Sequence, residues 1–413
     1  MTKLTTKRYK PENNNHMKIT IFWFRRDLRI MDNKGLYEAL SNNSNVLPLF
    51  IFDENILHEL PKDDPRVSFI YDCLKNLNQT FKSVNSSLLC LKGKPLDVWK
   101  KLLKDYSFSK VYTNRDYEPY ARNRDKQIKD LLVASGIEFL SYKDQVINEK
   151  YDVLKKDGTP YTVFTPYKRK WIELKTSTKP NKIASLENLI QANYILPSLR
   201  LIGFEKSSVK VKPYVLENIT NYAQKRDFPG QNGTTLLGPH LRFGTLSVRQ
   251  IISNPNFKSD TFLNELIWRE FFMQILFHFP NVVTNNFRSK YDNIQWLNNE
   301  KEFEKWCNGL TGYPLVDAGM RQLNSTGYMH NRVRMVTAGF LCKHLLIDWR
   351  LGEAYFAKKL LDYELSSNNG NWQWAAGTGC DAAPYFRIFN PTAQQKKFDR
   401  TKDYIHKWIP ELN

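Results

Sequence analysis

The first third of the chain alternates short β-rich runs with helical patterns, and this restricts the possible folds more than any other feature. Ile19 to Phe24, Val46 to Phe52, Leu88 to Leu91, Lys110 to Thr113 and Ile137 to Leu140 read as strands. Between the second and third, Val67, Ile70, Tyr71, Leu74, Leu77 and Phe81 recur at helical spacing. Pro95 to Tyr106 and Glu118 to Ser135 read as further helices. Strands separated by helices form a doubly wound parallel sheet, covered on both faces, rather than hairpins. Such a sheet binds ligands beyond the carboxyl ends of its strands. Here the first strand runs into FWFRRDLRI (Phe22 to Ile30) without a GxGxxG, so an ordinary dinucleotide site is not expected in this domain.

At 413 residues the chain is too long for one core. The sheet pattern accounts for residues 18–150. From about Tyr151 to Val215 it breaks: Pro160, Pro166, Pro180, Pro197 and Pro213 punctuate a Lys-rich stretch, which predicts an interdomain linker over 151–215. Residues 216–413 are helical in pattern. Glu265 to Phe277 places Leu266, Ile267, Phe271, Ile275 and Leu276 on a broad apolar face, and Gly327 to Leu346 is a second case. Residues 1–17, with Lys3, Lys7, Arg8, Lys10 and Asn13 to Asn15, read as a disordered basic lead-in.

The formal charge of +19 points to a polyanionic partner, although charge alone does not separate DNA from RNA or an acidic surface. No apolar run approaches a membrane span, so no membrane partner is expected. The five cysteines are scattered, with no CxxC and no zinc spacing. They fit buried small hydrophobes in a reducing, cytoplasmic setting, near the nucleoid in a prokaryote, and predict no metal site.

The helical half carries the decisive motifs: GYPLVDAGMRQL (Gly312 to Leu323), STGYMHNRVRM (Ser325 to Met335) and NNGNWQWAAGTGCDAAPYFRIFNPTAQQKKFD (Asn368 to Asp399). Together with FWFRRDLRI they make the chain resemble the photolyase and cryptochrome family along nearly its whole length, and within it the class I cyclobutane pyrimidine dimer photolyases. The resemblance implies a Rossmann-like antenna domain and a helical FAD-binding domain. FAD in its reduced form, FADH⁻, would donate an electron to the lesion under blue light. The implied partner is UV-damaged DNA, and the protein is expected to be a monomer with no obligate protein partner.

The same resemblance implies roles for individual residues. Tyr222, Thr234, Thr235, Leu236 and Leu237 match the family's flavin and phosphate contacts, with Leu236 where many relatives carry Arg and Arg242 as a compensating cation. A Gly-Thr-Thr run by itself would read as an ordinary N-cap. Asn331, Arg334, Asp362, Glu364 and Asn368 fall near the flavin ring, with Asn368 facing N5, where an amide can either donate or accept a hydrogen bond. Trp296, Trp349 and Trp372 match the electron-transfer tryptophans, although each taken singly would read as core. Trp268 and Trp374 match the two indoles that sandwich a flipped-out dimer, and Glu265, Arg269, Asn331 and Met335 join them in contacting substrate. Glu265, Trp268 and Arg269 share one helix face at spacings of three and four. Arg269 reads equally as a phosphate contact or an ion-pair partner.

Asn331 and Met335 stand where enzymes acting on (6-4) photoproducts carry an acid–base His pair, which favours cyclobutane dimers. Glu118, in NRDYEPYAR, matches a position near the antenna folate, yet a Lys of folate-binding relatives is Val283 here, so a second chromophore, folate or deazaflavin, stays unassigned. The rival readings are a cryptochrome-like photoreceptor and a non-catalytic nucleic-acid-binding protein.

Overall fold

The computed structural model describes residues 19–183, 185–255, 257–382 and 388–412; the basic lead-in, residues 1–17, lies outside them. Five strands, β1 (Ile19–Phe24), β2 (Val46–Asp53), β3 (Leu89–Gly93), β4 (Phe108–Asn114) and β5 (Glu138–Tyr142), pair in parallel in the order β3-β2-β1-β4-β5. Every residue of β1 is buried, as expected of a central strand covered on both faces. Its side chains alternate between two cores. Phe22 and Phe24 pack with Leu36, Leu74 and Phe81 beneath the Lys34–Asn42 and Pro65–Lys82 helices. Ile21 and Trp23 pack with Trp99, Ile128 and Leu132 beneath the Pro95–Asp105 and Pro119–Ala134 helices.

The strand order reverses between β1 and β4, so the chain leaving β1 enters the crevice where such sheets bind ligands. In this protein that crevice receives the second domain. The Leu28 N–H donates to the Phe243 carbonyl at 3.1 Å. Gly244, at φ 66°, approaches so closely that a Cβ there would lie 2.2 Å from the Arg26 carbonyl oxygen. Only glycine serves at that point. Beside it, buried Arg249 pairs with Asp32 at 2.9 Å and with Asp144 at 2.8 Å.

The segment 151–215 is more than a tether. It contains the Phe164–Glu173 helix, whose Phe164, Tyr167 and Trp171 join the core of the Asp260–His278 helix. Further on, Leu189 bridges to Val46, and Ile202 and Phe204 join the sheet's core. Pro166 obscures that helix in the sequence, yet it sits in the first turn, where a missing N–H breaks no helical bond.

The helical half packs the Asp260–His278, Pro314–Thr326, Asn331–Lys343, Trp349–Lys359 and Leu365–Ala376 helices around a cleft and two cores. Among the described residues, no helix is long and apolar enough to cross a membrane.

Candidate active site

The cleft is built from the Asn331–Lys343 and Leu365–Ala376 helices and the turn that leads into the second, with Phe356 of the intervening helix at its wall. His330 caps the Asn331–Lys343 helix by accepting the Arg332 N–H at 3.2 Å through Nδ1. That start sets Asn331, Arg334, Met335 and Ala338 on one face, at spacings of three and four. Opposite stand Asp362 and Glu364, followed by Asn368, Trp372, Trp374 and Ala375 of the Leu365–Ala376 helix. Together they line a space of about 610 Å³, part of it open to solvent. Eight residues singled out in the sequence therefore share one cleft: Asn331, Arg334, Met335, Asp362, Glu364, Asn368, Trp372 and Trp374.

Its polar groups are held in place. Arg334 donates from Nε to the Met329 carbonyl at 2.8 Å and from Nη2 to the Asp362 carboxylate at 2.9 and 3.2 Å. The Asn368 amide NH2 is engaged by Glu353, at 2.8 Å to the carboxylate and 3.1 Å to the carbonyl. That leaves the amide oxygen as the atom able to accept from a ligand N–H. Burial raises the Glu353 carboxyl above its usual range, and the Asn368 bond works against that rise. Glu353 was missed in the sequence, although it lies four residues after Trp349, one helical turn along.

The Gly233–Leu237 loop leads into Gly238, which abuts Asp362 of the cleft. Gly233 packs on Lys225, where a Cβ would lie 2.5 Å from the Lys225 Cβ. Leu236 adopts a positive φ of 54° just before the Gly238–Phe243 helix begins. A Cβ on Gly238 would lie 2.6 Å from the Asp362 carboxylate, so this loop and Asp362 adjoin. Thr234, Thr235 and Leu237 stand on that stretch, with Thr235 and Leu237 buried. Tyr222 packs edge-on against Phe262 at 4.9 Å beneath the Arg226 guanidinium.

Residues 20–184 match the DNA photolyase family, and residues 262–413 match the FAD binding domain of DNA photolyase. The chain belongs to the photolyase and cryptochrome family. It is 37% identical to the deoxyribodipyrimidine photo-lyase of Synechococcus sp., over 95% of this chain and 88% of that protein. A crystal structure of an archaeal photolyase from Sulfolobus tokodaii with two FAD molecules superposes with a TM-score of 0.82 at 36% identity, covering 95% of this chain and 90% of that one. The Synechocystis cryptochrome superposes with a TM-score of 0.84 at 28% identity, covering 96% and 89%. The helical half is thus the FAD-binding domain of this family, and the cleft fits that cofactor. It offers a fixed cation, an acceptor amide and aromatic walls, while Gly233 and Gly238 let their stretch pack closely on Lys225 and Asp362.

Other family positions take partners that only the fold could supply. Glu364 begins the Leu365–Ala376 helix, and its buried carboxylate accepts from Arg26 and, at 3.0 Å, from Arg269. Burial opposes its ionisation, but Arg269, Arg26 and Arg242 outweigh this and hold its carboxyl below the usual range. Glu364 therefore lines the cleft as the anchor of two guanidiniums, not as a free flavin contact. Arg269 also donates to the Gln145 carbonyl at 3.0 Å. Of its two expected roles it takes the ion pair, because a buried carboxylate draws it inward. Arg242 pairs with Glu118 at 2.8 Å and so does not replace the missing phosphate cation.

Trp268 stands outside the cleft lining. One face lies flat on Phe164, with centroids 3.7 Å apart and planes 6° apart. Glu265 pairs with Arg226. Of Trp268 and Trp374, Trp374 is therefore the one in the cleft wall, which Asn331 and Met335 also line. Trp296, Trp349 and Trp372 grade from surface to cleft: Trp296 is half-buried, while Trp349 and Trp372 are 1% and 2% exposed. The Trp349 Nε1 donates to the Asn286 amide oxygen at 2.9 Å. Three residues along its helix, Gly352 presses on the Trp372 ring. Trp306, not singled out in the sequence, is fully buried with its ring 6.1 Å from that of Trp372.

Proposed function

We propose that this protein is a deoxyribodipyrimidine photo-lyase that repairs cyclobutane pyrimidine dimers in DNA by light-driven electron transfer from reduced FAD. One feature supports this above the rest. One cleft carries the Arg334–Asp362 pair, Asn368 and Trp374, with no acid–base residue at positions 331 and 335. When bound, reduced FAD would supply light absorption and the one electron, returned at the end, that splits the cyclobutane ring. The chain's part is orientation and electrostatics. Arg334 offsets negative charge beside the ring. Asn368 presents an amide oxygen to a flavin N–H while Glu353 holds its NH2. Trp374, Asn331 and Met335 meet the extruded lesion, and an aromatic face repays part of the unstacking. Trp372, Trp349 and Trp296 serve as the electron route to the oxidised cofactor.

His330, one position from the (6-4) enzymes' slot, does not supply the missing acid. Burial pushes its ring down to about 4, so it is neutral at physiological pH, and its Nδ1 already accepts the Arg332 N–H. This reading makes the protein a monomer acting on DNA in the cytoplasm. It leaves folate a poor antenna, since Glu118 is already shared by Arg26 at 3.0 Å and Arg242 at 2.8 Å.

The test is direct. Reduced protein is mixed with dimer-containing oligothymidine and illuminated at blue wavelengths while the absorbance of intact thymine is followed. Recovery that requires light is expected. Flavin-loaded, reduced protein that restores no thymine, and instead holds a stable light-induced flavin state, would move the chain to the photoreceptor reading.

A further inference from the structure

A connection between sheet domain and cleft that the proposed chemistry does not use runs through Arg26. This side chain leaves the carboxyl end of β1 at the strand-order switch, 12% exposed. Its guanidinium meets four groups on both sides of the domain boundary. From the sheet domain come Glu118 at 3.0 Å and Asp116 at 3.3 Å. From the helical domain come the Arg242 carbonyl, at 3.2 Å from Nε, and the Glu364 carboxylate. The last two flank the cleft. Arg242 lies on the Gly238–Phe243 helix, whose first residue abuts Asp362. Glu364 begins the helix that carries Asn368, Trp372 and Trp374.

We propose that Arg26 is a positioning residue for the FAD cleft, holding the phosphate-side loop and the ring-side helix at a set separation and balancing the charge of Glu364. The sheet domain then acts as a structural half of the flavin site, whatever chromophore it carries. A bidentate-capable guanidinium suits this task, because it satisfies acceptors in several directions at once, which an ammonium cannot do with the same geometry. Arg269 cannot replace it: its other donor is committed to Gln145.

The inference rests on FAD binding in this cleft, so the wild-type protein is loaded first; failure to load would defeat that reading and leave the present one moot. With loading established, FAD affinity is measured by release of flavin fluorescence, and the flavin midpoint potential by titration, in Arg26→Gln, Arg26→Lys, Glu364→Gln and Arg122→Gln. Arg122 also joins the two domains, donating to the Phe277 carbonyl at 3.0 Å, but it does not line the cleft. Arg26→Gln should weaken FAD binding by about tenfold. It should also lower the potential, because Glu364, left with Arg269 as its direct ion-pair partner, carries more unbalanced negative charge toward the anionic reduced ring. Arg26→Lys should restore most of the potential and only part of the affinity. Glu364→Gln should move the potential upward, the opposite sign, which a general loosening of the fold would not do. Arg122→Gln should leave both quantities as in the wild type. If Arg26→Gln does not fold, Glu364→Gln decides by itself: a raised potential supports the proposal and an unchanged one overturns it. Affinity and potential within twofold and within error of wild type in Arg26→Gln, or the same losses in Arg122→Gln, also overturn it.

Discussion

Adding one methyl group at two helical glycines should move stability in opposite directions. By helix propensity alone, Gly→Ala stabilises a helix interior by about 1 kcal/mol. At Gly339, in the Asn331–Lys343 helix, the nearest atom to an added Cβ is a Phe389 ring carbon at 3.7 Å, an ordinary contact. Gly339→Ala should therefore keep the full gain and raise Tm by roughly 1 °C. At Gly352, in the Trp349–Lys359 helix, the added Cβ would lie 2.2 Å from Trp372 Cη2 and 2.5 Å from Leu341 Cδ2. Carbon atoms sit comfortably at about 3.5–4.0 Å, so the indole must retreat by more than an ångström. On its packed side Phe356 stands edge-on at 5.0 Å and Trp306 at 6.1 Å, so it can yield only toward the cleft. Overpacking of this kind costs about 3 kcal/mol, which leaves a net loss of about 2 kcal/mol and lowers Tm by roughly 2 °C. Trp372 also lines the cleft, so Gly352→Ala should slow photoreduction of oxidised flavin, whereas Gly339→Ala should not. Thermal melts of the two variants, with photoreduction followed by flavin absorbance, make the comparison. A Gly352→Ala protein stabilised as much as Gly339→Ala would show that the packing around Trp372 is not as tight as these distances require.

Two further outcomes are expected. Trp374→Ala should reduce affinity for dimer-containing DNA by roughly tenfold or more while leaving undamaged DNA nearly unaffected, since stacking is worth about 1–3 kcal/mol per base; equal losses on both DNAs in a binding titration would remove Trp374 from lesion reading. Glu270 is fully buried, and its carboxyl is pushed up to about 7 by that burial, against the Ile147 and Asn148 N–H groups and the Trp171 indole that bond it. Between the ordinary value of 4.5 and about 7 the folded protein binds more protons here than the unfolded chain, so this group's contribution to stability falls as pH rises through that window. The Tm of wild type relative to Glu270→Gln should accordingly decline from pH 4.5 to 7 and level off above; a difference that is flat with pH would exclude Glu270 as the titrating group.

Local periodicity made the architecture readable before any coordinates. Each strand run overlaps an observed strand, and β1 coincides at both ends, because a strand buried on both faces must be apolar throughout. The cleft-lining residues Asn331, Arg334 and Met335 were legible through the family motifs, whereas periodicity gave their helix as Gly327 to Leu346 and the His330 cap starts it at Asn331. The Phe164–Glu173 helix was not legible, because Pro166 and the surrounding lysines resemble a loop, and only packing against the Asp260–His278 helix makes it a helix worth forming.

What the amino-acid order determined by itself was therefore the kind of element, the face each residue occupies and, through the family motifs, the chemistry. What only the tertiary structure decided was partnership. Asn368 is held by Glu353, Glu364 by Arg26 and Arg269, Trp268 by Phe164, and Arg242 by Glu118. Long charged and aromatic side chains reach several ångströms in many directions. Which opposite charge or ring each one meets depends on how elements far apart in the chain approach, and on which groups burial compels to find a partner.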